Sequence, residues 1–549
     1  MKRKDVLPLL IIGVFVTLLL RGTLRAGFPD WFENYGSYMS QVMLLRDSGG
    51  TWFTQNWYFG YEIGRYYPPM AILETLLIGN IVGDYSLAFN LLAYAAFIGM
   101  GIAFYAFLRR EFESEWATLV AVLLFITSHS VITGVQGFYW EVPHLIGFAL
   151  IPVLLINVRS ALQKQSLLAS CIAGLVFGAI VLHNILAGTE AVIFTALYVV
   201  KMMLSGWRPT KQTVYQVMLM GMSVIAVAGW WLVPAIFPEG LGIYTKNESF
   251  SLQGLVTLSG EAEKHDHFYL LSILSVPGVL AIAGLLSFIR KPKAVDWFAI
   301  LILGVATLFV VIPAPQGWRY IVDMSLGISI LSGRLFERLV LSSRKYANVI
   351  AVVIGVAVLL HAGSVADRVG SRIQVSQTSY KSSIVYIVES AVRAMMKPDD
   401  VVYIAYADGF RGGPMAFNLF FPDAAQVGGG SFVGNRSEDA KQIGAYVKSG
   451  DMPESLDNLL KDHGVTYLVV NRVKLEKTDA FDVLLRRYQI VYEYDYMTVL
   501  YTGYHAAQPV VSYEYANMWR VVGIITSLLA VLVIEFYLIQ RDMHQLVRR

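Results

Sequence analysis

Long apolar runs separated by short charged loops dominate the chain. A helix needs about 20 consecutive apolar residues to cross roughly 30 Å of hydrocarbon. Runs of this kind predict about 12 membrane-spanning helices, at residues 6–20, 86–108, 116–134, 138–156, 166–185, 187–204, 212–233, 268–289, 295–312, 319–339, 347–366 and 515–539. The pattern therefore predicts a polytopic α-helical membrane protein.

The first apolar run, VLPLLIIGVFVTLLL, is slightly short and follows the basic sequence MKRK. A cleaved signal peptide has similar features. No small-residue cleavage site follows the run, and Arg21 and Arg25 come instead. We therefore interpret the run as a membrane anchor.

The composition supports the membrane interpretation. Hydrophobic residues make up 56% of the chain and charged residues 15%, and the mean hydropathy is +0.55. These values lie outside the usual range for soluble domains. The single cysteine, Cys171, lies within an apolar run, so no intramolecular disulfide can form.

The charged loops predict the orientation in the membrane. We take Met1 as cytoplasmic. The segments on the same side of the membrane as MKRK are then the loops RREFESE, NVRSALQKQ, SGWRPTKQ, RKPKA and RLFERLVLSSRKY, and the tail QRDMHQLVRR. Cytoplasmic loops are enriched in Lys and Arg, and these loops follow that rule. We therefore predict a multi-pass cell-membrane protein with cytoplasmic N- and C-termini.

This orientation requires that segment 68–83, PPMAILETLLIGNIVG, does not cross the membrane. The segment is short and carries Glu74, and a crossing would place Arg109 and Arg110 outside. We predict a short helix that lies against the outer face or dips into it.

The pattern divides the chain into three parts. Residues 1–366 form a transmembrane domain whose first outer loop, 21–69, is large enough to carry a site. Residues 367–513 form an extracytoplasmic α/β domain, and residues 514–549 form the last transmembrane helix and a basic tail.

Segment 367–513 has the pattern of an α/β domain. Strand patterns occur at 401–407 and 465–470. Residues 455–464 have the pattern of a helix that begins at a serine and ends at a glycine. Residues 488–503 have the pattern of a two-strand hairpin. No nucleophile triad, phosphate loop or metal-ligand cluster is recognisable in it. We predict that the domain is a lid or a binding module.

Charged and histidine side chains recur in the first outer loop and at the outer ends of the predicted spans. Such residues are costly near hydrocarbon, so each is a site hypothesis. They are Asp30, Glu33, Arg46, Asp47, Glu62, Arg65, Glu74, Glu141, His144, His183, Glu190, Arg319 and Asp323. Because they share one membrane depth, they predict a site at the outer face.

Asp30 precedes an amphipathic helix in the first outer loop. The residues at helical spacing are Tyr35, Tyr38, Met39, Val42, Leu45 and Arg46. Aspartate is a good N-cap, and a carboxylate at the interface can also take a proton from an acceptor hydroxyl. The two roles are compatible, because a cap fixes the backbone that presents the carboxylate.

The stretch NWYFGYEIGRYYPPM, residues 56–70, places Arg65 among aromatic residues just before an apolar run. Arg319 opens a late span in a similar setting, QGWRYIVD. An arginine binds two phosphate oxygens at once and stays protonated. Snorkelling of either side chain to the headgroups remains an alternative.

These segments resemble the GT-C superfamily of integral-membrane glycosyltransferases. The nearest match is a group of prokaryotic membrane proteins named after a 6-pyruvoyl-tetrahydropterin synthase-related domain. The corresponding segments are Asp30, GYEIGRYYPPM (60–70), GVQGFYWEVPHLIGFALIP with Glu141, His183-Asn184 and QGWRYIVD with Arg319. Glu62 departs from the usual proline, and DWFENY lacks the histidine that often follows the first aspartate.

The resemblance implies transfer of a sugar at the outer membrane face. The donor would be linked to polyprenyl or dolichyl phosphate, and the acceptor would be a lipid, a glycan or a protein. The implied roles are catalytic carboxylates for Asp30 and Glu141, donor-phosphate binding for Arg65, Arg319 and His183, and acceptor or sugar contacts for Tyr66, Tyr67, Trp140 and His144. Membrane lipids are expected partners and nucleic acid is not.

Simpler structural roles remain open for several of these residues. Glu141 could form an ion pair with an arginine of the first outer loop. His183 could satisfy a buried polar pair with Glu190. Trp230 and Trp231 could stack on sugar or prenyl chain, or belong to the interfacial aromatic belt.

A metal site and two other functions also remain open. His265, Asp266 and His267 are adjacent in EAEKHDHFY, although zinc sites usually need further ligands at set spacings. No cofactor is certain, and a divalent cation such as Mg²⁺ or Mn²⁺ remains an alternative. The other functions are a transporter or flippase of lipid-linked glycans, which predicts broken helices and internal symmetry, and a non-catalytic glycan-assembly protein.

Overall fold

The structure is a computed structural model. It describes residues 3–29, 33–49, 52–54, 61–64, 68–128, 131, 142–236, 276–288, 292–311, 321–372, 375–376, 384–404, 417–418, 420–421, 423–427, 442–443, 445–446, 454–475, 480–505 and 521–535.

Helices occupy the predicted apolar runs in the part of the chain that the structure describes, although several of their bounds differ from the predicted ones. Those before the C-terminal domain are α1 (Val6–Leu19), α2 (Glu33–Asp47), α3 (Met70–Val82), α4 (Tyr85–Leu108), α5 (Glu115–Ile126), α6 (Val142–Lys164), α7 (Leu167–His183), α8 (Ile185–Leu204), α9 (Lys211–Ile236), α10 (Val276–Phe288), α11 (Ala294–Val311), α12 (Ile321–Val340) and α13 (Lys345–Arg372). Short 3-10 turns occur at Arg3–Asp5 and Arg21–Thr23. Near the end of the chain lies α18 (Val521–Glu535).

Five of the described helices are long and apolar enough to cross a membrane, namely α4, α6, α8, α9 and α13. The remaining helices of the bundle are shorter or, like α12, carry several charges. The predicted total of about 12 spans therefore stays a prediction.

Polar residues set several helix boundaries. The side chains of Asp84, Ser114, Ser166 and Asn184 accept hydrogen bonds from backbone N–H groups in the first turns of α4, α5, α7 and α8. Gly83 ends α3 with a φ of +78°, a conformation that glycine adopts without strain.

Ion pairs join one end of the bundle around the α4–α5 loop, residues 109–114. They are Arg109–Asp5 (3.0 Å), Glu111–Arg159 (3.1 Å), Glu111–Lys201 (2.7 Å), Glu113–Lys293 (2.7 Å) and Lys293–Glu337 (3.8 Å). The start of α1, the ends of α6, α8 and α12 and the start of α11 therefore lie at one face, which we call the basic face. These are loops that the sequence predicts on one side of the membrane.

The helix α3 begins and ends at the opposite face. Its Glu74 lies 3.1 Å from His183 at the end of α7. Its Asn80 accepts a 2.6 Å hydrogen bond from the hydroxyl of Tyr85 at the start of α4. Because α4 and α7 have their other ends at the basic face, α3 does not cross the bundle, as predicted. We call this opposite face the loop face.

The C-terminal domain contains a mixed five-stranded sheet. The strands within the described residues are β1 (Phe28–Pro29), β2 (Phe53–Thr54), β3 (Tyr61–Glu62), β4 (Val375–Ser376), β5 (Val401–Ile404), β6 (Ala425–Val427), β7 (Val465–Asn471), β8 (Gln489–Tyr494) and β9 (Met497–Tyr501). The order is β6-β5-β7-β9-β8, with β5 parallel to β6 and β7 and the β8–β9 hairpin antiparallel. The predicted α/β pattern is confirmed.

Helices cover both faces of this sheet. They are α14 (Ile384–Met395), α15 (Glu454–Asp462), α16 (Arg472–Leu475) and α17 (Ala480–Arg487). Val388 of α14 packs with Val402 on one face, and Leu460 of α15 packs with Leu468 on the other. Strand side chains alternate between the two faces, so each face buries its own set.

The hydrophobic cluster on the α15 face of the sheet, which contains Leu460 and Leu468, extends into the first outer loop. Val42 and Leu45 of α2 and Ile72 of α3 belong to the same buried cluster as Leu460 and Leu468. In addition, β1 pairs antiparallel with β4, which follows α13. The C-terminal domain therefore packs on the loop face, beside the first outer loop.

Candidate functional site at the loop face

Ten of the predicted site residues lie outside the described part of the chain. They are Asp30, Arg65, Tyr66, Tyr67, Trp140, Glu141, His265, Asp266, His267 and Arg319. The structure does describe the residues beside three of them, namely Pro29, Gly64 and Val142. It also describes His144 and His183 directly.

The backbone before Asp30 is fixed to α4. The N–H group of Gly27 donates a 2.9 Å hydrogen bond to the hydroxyl of Ser86. The amide of Asn90 donates to the carbonyl oxygens of Arg25 (3.0 Å) and Gly27 (3.2 Å). These bonds and the β1–β4 pairing leave little freedom for residues 25–29.

Aromatic contacts hold Phe28, two residues before Asp30. Its ring packs edge-on against Tyr35 at a centroid distance of 5.9 Å and against Phe420 of the C-terminal domain at 5.3 Å. Tyr35 in turn packs on Phe89 of α4 at 5.1 Å. The first outer loop is thus clamped between the helical domain and the C-terminal domain.

A helix, α2, is present after position 30 as predicted, but the predicted amphipathic pattern is wrong. The predicted positions Tyr35, Tyr38, Met39, Val42 and Leu45 are buried, and so are Ser37, Ser40, Gln41 and Leu44 between them. The reason is that α2 packs in the cluster of the helical domain and in that of the C-terminal domain. Arg46, at the end of the same series, is exposed and lies over the ring of Tyr85 at 5.4 Å. The predicted cap of this helix by Asp30 falls outside the described residues.

Gly64 precedes Arg65 and is held on two sides. The N–H group of Ile63 donates a 2.8 Å hydrogen bond to the carbonyl oxygen of Trp52, and the indole N–H of Trp231 donates to the carbonyl oxygen of Gly64. The φ of Gly64 is +73°, and an added Cβ would lie 3.0 Å from both Pro69 and Trp52. Only glycine fits there without strain. Trp231 therefore anchors this loop at the end of α9.

His183 is buried at the end of α7 and is engaged through both ring nitrogens. Nε2 lies 3.1 Å from Oε2 of Glu74, and Nδ1 lies 2.7 Å from the carbonyl oxygen of Ala179. The predicted pairing with Glu190 is wrong. The reason is that α3 packs against α7 and brings Glu74 to His183, whereas Glu190 on α8 faces α6.

His144 is the residue that pairs with Glu190. Its Nε2 lies 2.9 Å and 3.1 Å from the two carboxylate oxygens. Glu190 has no exposed surface. A buried carboxylate needs such a partner, because removal from water is costly.

Asp323 lies in the first turn of α12 and is 5% exposed. It lies near Glu190, and the negative charges of the two carboxylates repel each other. Among the described residues its Oδ1 has no hydrogen-bond partner. A buried acceptor without a donor is costly, so this oxygen is ready to accept a hydrogen bond.

The described residues contain no group of three or more His, Cys, Asp or Glu side chains that could hold a metal ion. The adjacent candidates His265, Asp266 and His267 fall outside the described ranges. A role for a divalent cation is therefore still open.

The loop face gathers polar side chains from helix ends that are distant in sequence. Glu74, His144, His183, Glu190 and Asp323 were each predicted at one depth, and they lie at that face in two groups, Glu74 with His183 and His144 with Glu190 and Asp323. Sequence patterns missed two features, namely the pairing of these groups and the clamp on Phe28. Neither has a local signal, because both depend on which elements are neighbours.

Comparison with known proteins identifies a family model that covers more than half of the chain. A family model described as a 6-pyruvoyl-tetrahydropterin synthase related domain, membrane protein, matches residues 64–361. No curated protein matches the chain in a sequence search.

Solved structures share the fold at low identity. ArnT from Cupriavidus metallidurans bound to undecaprenyl phosphate has a TM-score of 0.58 and 14% identity, over 93% of this chain and 100% of that one. The archaeal oligosaccharyltransferase AglB from Archaeoglobus fulgidus, in complex with an inhibitory peptide and a dolichol-phosphate, has a TM-score of 0.56 and 13% identity, over 88% and 71%. The arabinofuranosyltransferase AftD from Mycobacteria has a TM-score of 0.58 and 12% identity, over 93% and 40%. The fold is thus the GT-C fold.

Proposed function

Because the chain belongs to the family of 6-pyruvoyl-tetrahydropterin synthase-related membrane proteins, we propose that it is a GT-C-type membrane glycosyltransferase. It moves a sugar from a polyprenyl- or dolichyl-phosphate-linked donor to a lipid, glycan or protein acceptor at the outer membrane face. The loop face of the bundle is that outer face in this proposal.

The polar side chains at helix ends of the loop face, and the first outer loop held between the helical domain and the C-terminal domain, support this proposal. Glu74, His183, His144, Glu190 and Asp323 lie at helix ends of the loop face, and the C-terminal domain packs beside them. A lipid-phosphate donor needs this arrangement, because its tail lies in hydrocarbon while its anionic head stays at the interface. ArnT and AglB, which share the fold, were solved with undecaprenyl phosphate and a dolichol-phosphate.

Asp30 is the general base in the proposed reaction. Its carboxylate takes the proton from an acceptor hydroxyl, whose oxygen then bonds to the anomeric carbon of the donor sugar. The bond between that carbon and the lipid-phosphate oxygen breaks, and the phosphate leaves with the electron pair. Glu141 is the second carboxylate of the site.

The departing phosphate needs positive charge. Arg65 and Arg319 supply it, because a guanidinium binds two phosphate oxygens and stays charged throughout. The fixed backbone of Gly64 supports the assignment of Arg65, since it limits where the next residue can go. His183 is the third phosphate-binding residue of this proposal.

The sugar and the acceptor offer hydroxyl groups to the remaining residues. Tyr66, Tyr67, Trp140 and His144 are assigned to these contacts. We add Asp323, because its buried Oδ1 can accept a hydrogen bond from a hydroxyl. A divalent cation is not required by any of these steps.

Asp30→Asn in the purified full-length protein tests the proposal. With a panel of polyprenyl-phosphate sugars, the variant is expected to lose about 10²–10⁴-fold in kcat, the usual contribution of a general base. Asp47→Asn is the matched control, because Asp47 ends α2 in the same loop and is exposed beside Arg46. It is expected to keep wild-type activity.

Other outcomes separate the rival functions. Unchanged transfer by Asp30→Asn would refute the base assignment. Wild-type protein that moves a fluorescent lipid-linked glycan across vesicles, but transfers sugar from no donor, would identify a flippase. Glycan binding without transfer or movement would identify an assembly protein.

A further inference from the structure

An apolar groove of about 370 Å³ lies between α5, α12 and α13, away from the site described above. Buried side chains form its floor, and largely exposed side chains form its rim. The floor consists of Leu119, Val120, Leu123, Phe336, Ala351 and Val358, and the rim of Trp116, Val352, Val356 and Leu359. The groove therefore opens on the apolar surface that a membrane would cover.

The groove changes character along its length. Trp116, Val340 and Asn348 line it at the basic face, whereas Leu123 and Leu359 line it deeper in the bundle. Between Asn348 and Leu359 the helix α13 rises about 16 Å at 1.5 Å per residue. This length is close to one leaflet, roughly 15 Å of hydrocarbon. A molecule with a polar head and an apolar chain matches both the length and the polarity.

Two exposed cationic side chains, Arg344 and Lys345, lie at the start of α13, near the mouth of the groove. On the other side, next to Trp116, the charge of Lys4 is balanced by Glu115 at 3.5 Å. Arg344 and Lys345 therefore give the mouth its net positive charge. Each Lys or Arg near a membrane surface attracts anionic headgroups. The mouth therefore favours an anionic head over a neutral one.

Gly355 keeps the groove open. A Cβ at this position would lie 3.5 Å from the ring of Phe336, which is an ordinary contact. A larger side chain would therefore fit the backbone but occupy the groove. Among the five long apolar helices described, α13 is the least buried, at 22% of its most apolar window, so lipid can reach this side.

We propose that this groove binds one hydrocarbon chain of an anionic membrane lipid, with the headgroup beside Arg344 and Lys345. The site is separate from the proposed donor site, because it opens at the basic face and the donor site lies at the loop face. Its occupancy does not depend on glycosyl transfer.

Native mass spectrometry of the delipidated full-length protein tests this proposal. Titration with dioleoyl-phosphatidylglycerol or dioleoyl-phosphatidylcholine is expected to show one phosphatidylglycerol retained about tenfold more tightly. Gly355→Leu is expected to weaken that binding about tenfold, because leucine fills the groove. Gly99→Leu is the matched control, since Gly99 lies on the apolar α4 with no atom within 4 Å of an added Cβ.

Two further variants sharpen the test. Replacing Arg344 and Lys345 together by Gln is expected to abolish the preference for phosphatidylglycerol and to leave phosphatidylcholine binding unchanged. Val356→Trp fills the groove from its rim if Gly355→Leu does not fold.

Three results would overturn the proposal. The first is equal retention of phosphatidylglycerol by the wild type and a folded filling variant. The second is a dimer that dissociates in Gly355→Leu, which would place a second copy in the groove. The third is preferential binding of a polyprenyl phosphate there, which would make the groove part of the donor path.

Discussion

The imidazole of His183 lies between two acceptors, the carboxylate of Glu74 and the carbonyl oxygen of Ala179. To bind a donor phosphate, Nε2 has to give up its contact with the carboxylate of Glu74. Glu74 therefore competes with the phosphate for the same N–H group. If His183 binds the donor phosphate as proposed, the donor affinity depends on that competition.

Two substitutions separate the partners of this pair. His183→Ala is expected to raise the KM for the donor at least about tenfold, because a hydrogen bond to a charged group contributes about 1.5–3 kcal/mol. Glu74→Gln is expected to lower the same KM, because it removes the competing charge. Steady-state kinetics at varied donor concentration measures both.

The control for these variants is His361→Ala, a histidine on α13 outside the site. It is expected to leave the KM for the donor unchanged. If His183→Ala and Glu74→Gln both lower thermal stability at constant KM, the pair is structural and His183 does not bind phosphate.

At the scale of residues, the sequence predicted which polar side chains lie at the loop face, but it did not predict which of these side chains form pairs. Membrane depth follows from position within an apolar run, so His144, His183 and Glu190 could be placed. Their partners depend on which helix ends are neighbours, and a single sequence contains no such information. The roles of Asp30 and Arg65 stay predictions.

At the scale of elements, the pairing of β1 with β4 ties the first outer loop to the C-terminal domain. Phe420 packs on Phe28 and is itself held by Tyr386 at 5.1 Å. A hydrogen bond from Arg393 lowers the pKa of Asp423 and fixes α14 to the segment after Phe420. The domain thus positions the loop that leads to Asp30.

Phe420→Ala tests this positioning role. Removing the ring frees one side of Phe28, and a displacement of about 1 Å in a catalytic group can cost roughly 10²-fold in rate. We expect kcat to fall about 10- to 100-fold with little change in the KM for the donor. Progress curves at saturating donor measure the effect.

Phe421→Ala is the matched control, because Phe421 contacts Phe417, Phe420 and Tyr386 within the domain. It is expected to keep most of the activity, and Phe420→Tyr is expected to restore it. Equal losses in both alanine variants would indicate general destabilisation of the domain instead.

The apolar pattern predicted some helix bounds closely and others poorly, and it did not predict the sheet order. The helix α5 ends at Ile126 against a prediction of 134, and α6 ends at Lys164 against a prediction of 156. The structure has α4 at Tyr85–Leu108 and α11 at Ala294–Val311, against predictions of 86–108 and 295–312. Hydrocarbon thickness fixes such lengths, and capping residues mark their ends. Strand order depends on crossovers between distant segments, which local periodicity does not encode.

At the scale of the whole molecule, charge concentrates in a buried network at the basic face. Glu111 is 8% exposed and accepts hydrogen bonds from Lys201 (2.7 Å), Arg159 (3.1 Å) and Tyr198 (2.9 Å). Asp296 pairs with Arg334 at 2.8 Å, and both side chains are buried. The network joins helices from across the bundle. The sequence predicted that these loops lie on one side of the membrane, but it did not predict the ion pairs between them.

Glu111→Gln is expected to destabilise the protein by about 3–5 kcal/mol, because Lys201 would remain buried without its counter-charge. Thermal unfolding in one detergent measures the change. Glu113→Gln is the control on the same loop. Its partner Lys293 is exposed, and no measurable change is expected. A similar loss of thermal stability in both variants would refute the idea that the buried ion pair stabilises the protein more than the exposed one.

The same network has a consequence for biogenesis. Lys201 follows Glu111 by 90 residues, and Lys293 follows Glu113 by 180. At a synthesis rate of about 5–20 residues per second, Lys201 is synthesised roughly 5–18 s after Glu111. Lys293 is synthesised roughly 9–36 s after Glu113. Arg159, which follows Glu111 by 48 residues, is made earlier and can pair with Glu111 first, whereas Glu113 has to be synthesised long before its partner Lys293. The bundle closes at this face only when the ribosome has nearly completed the helical domain.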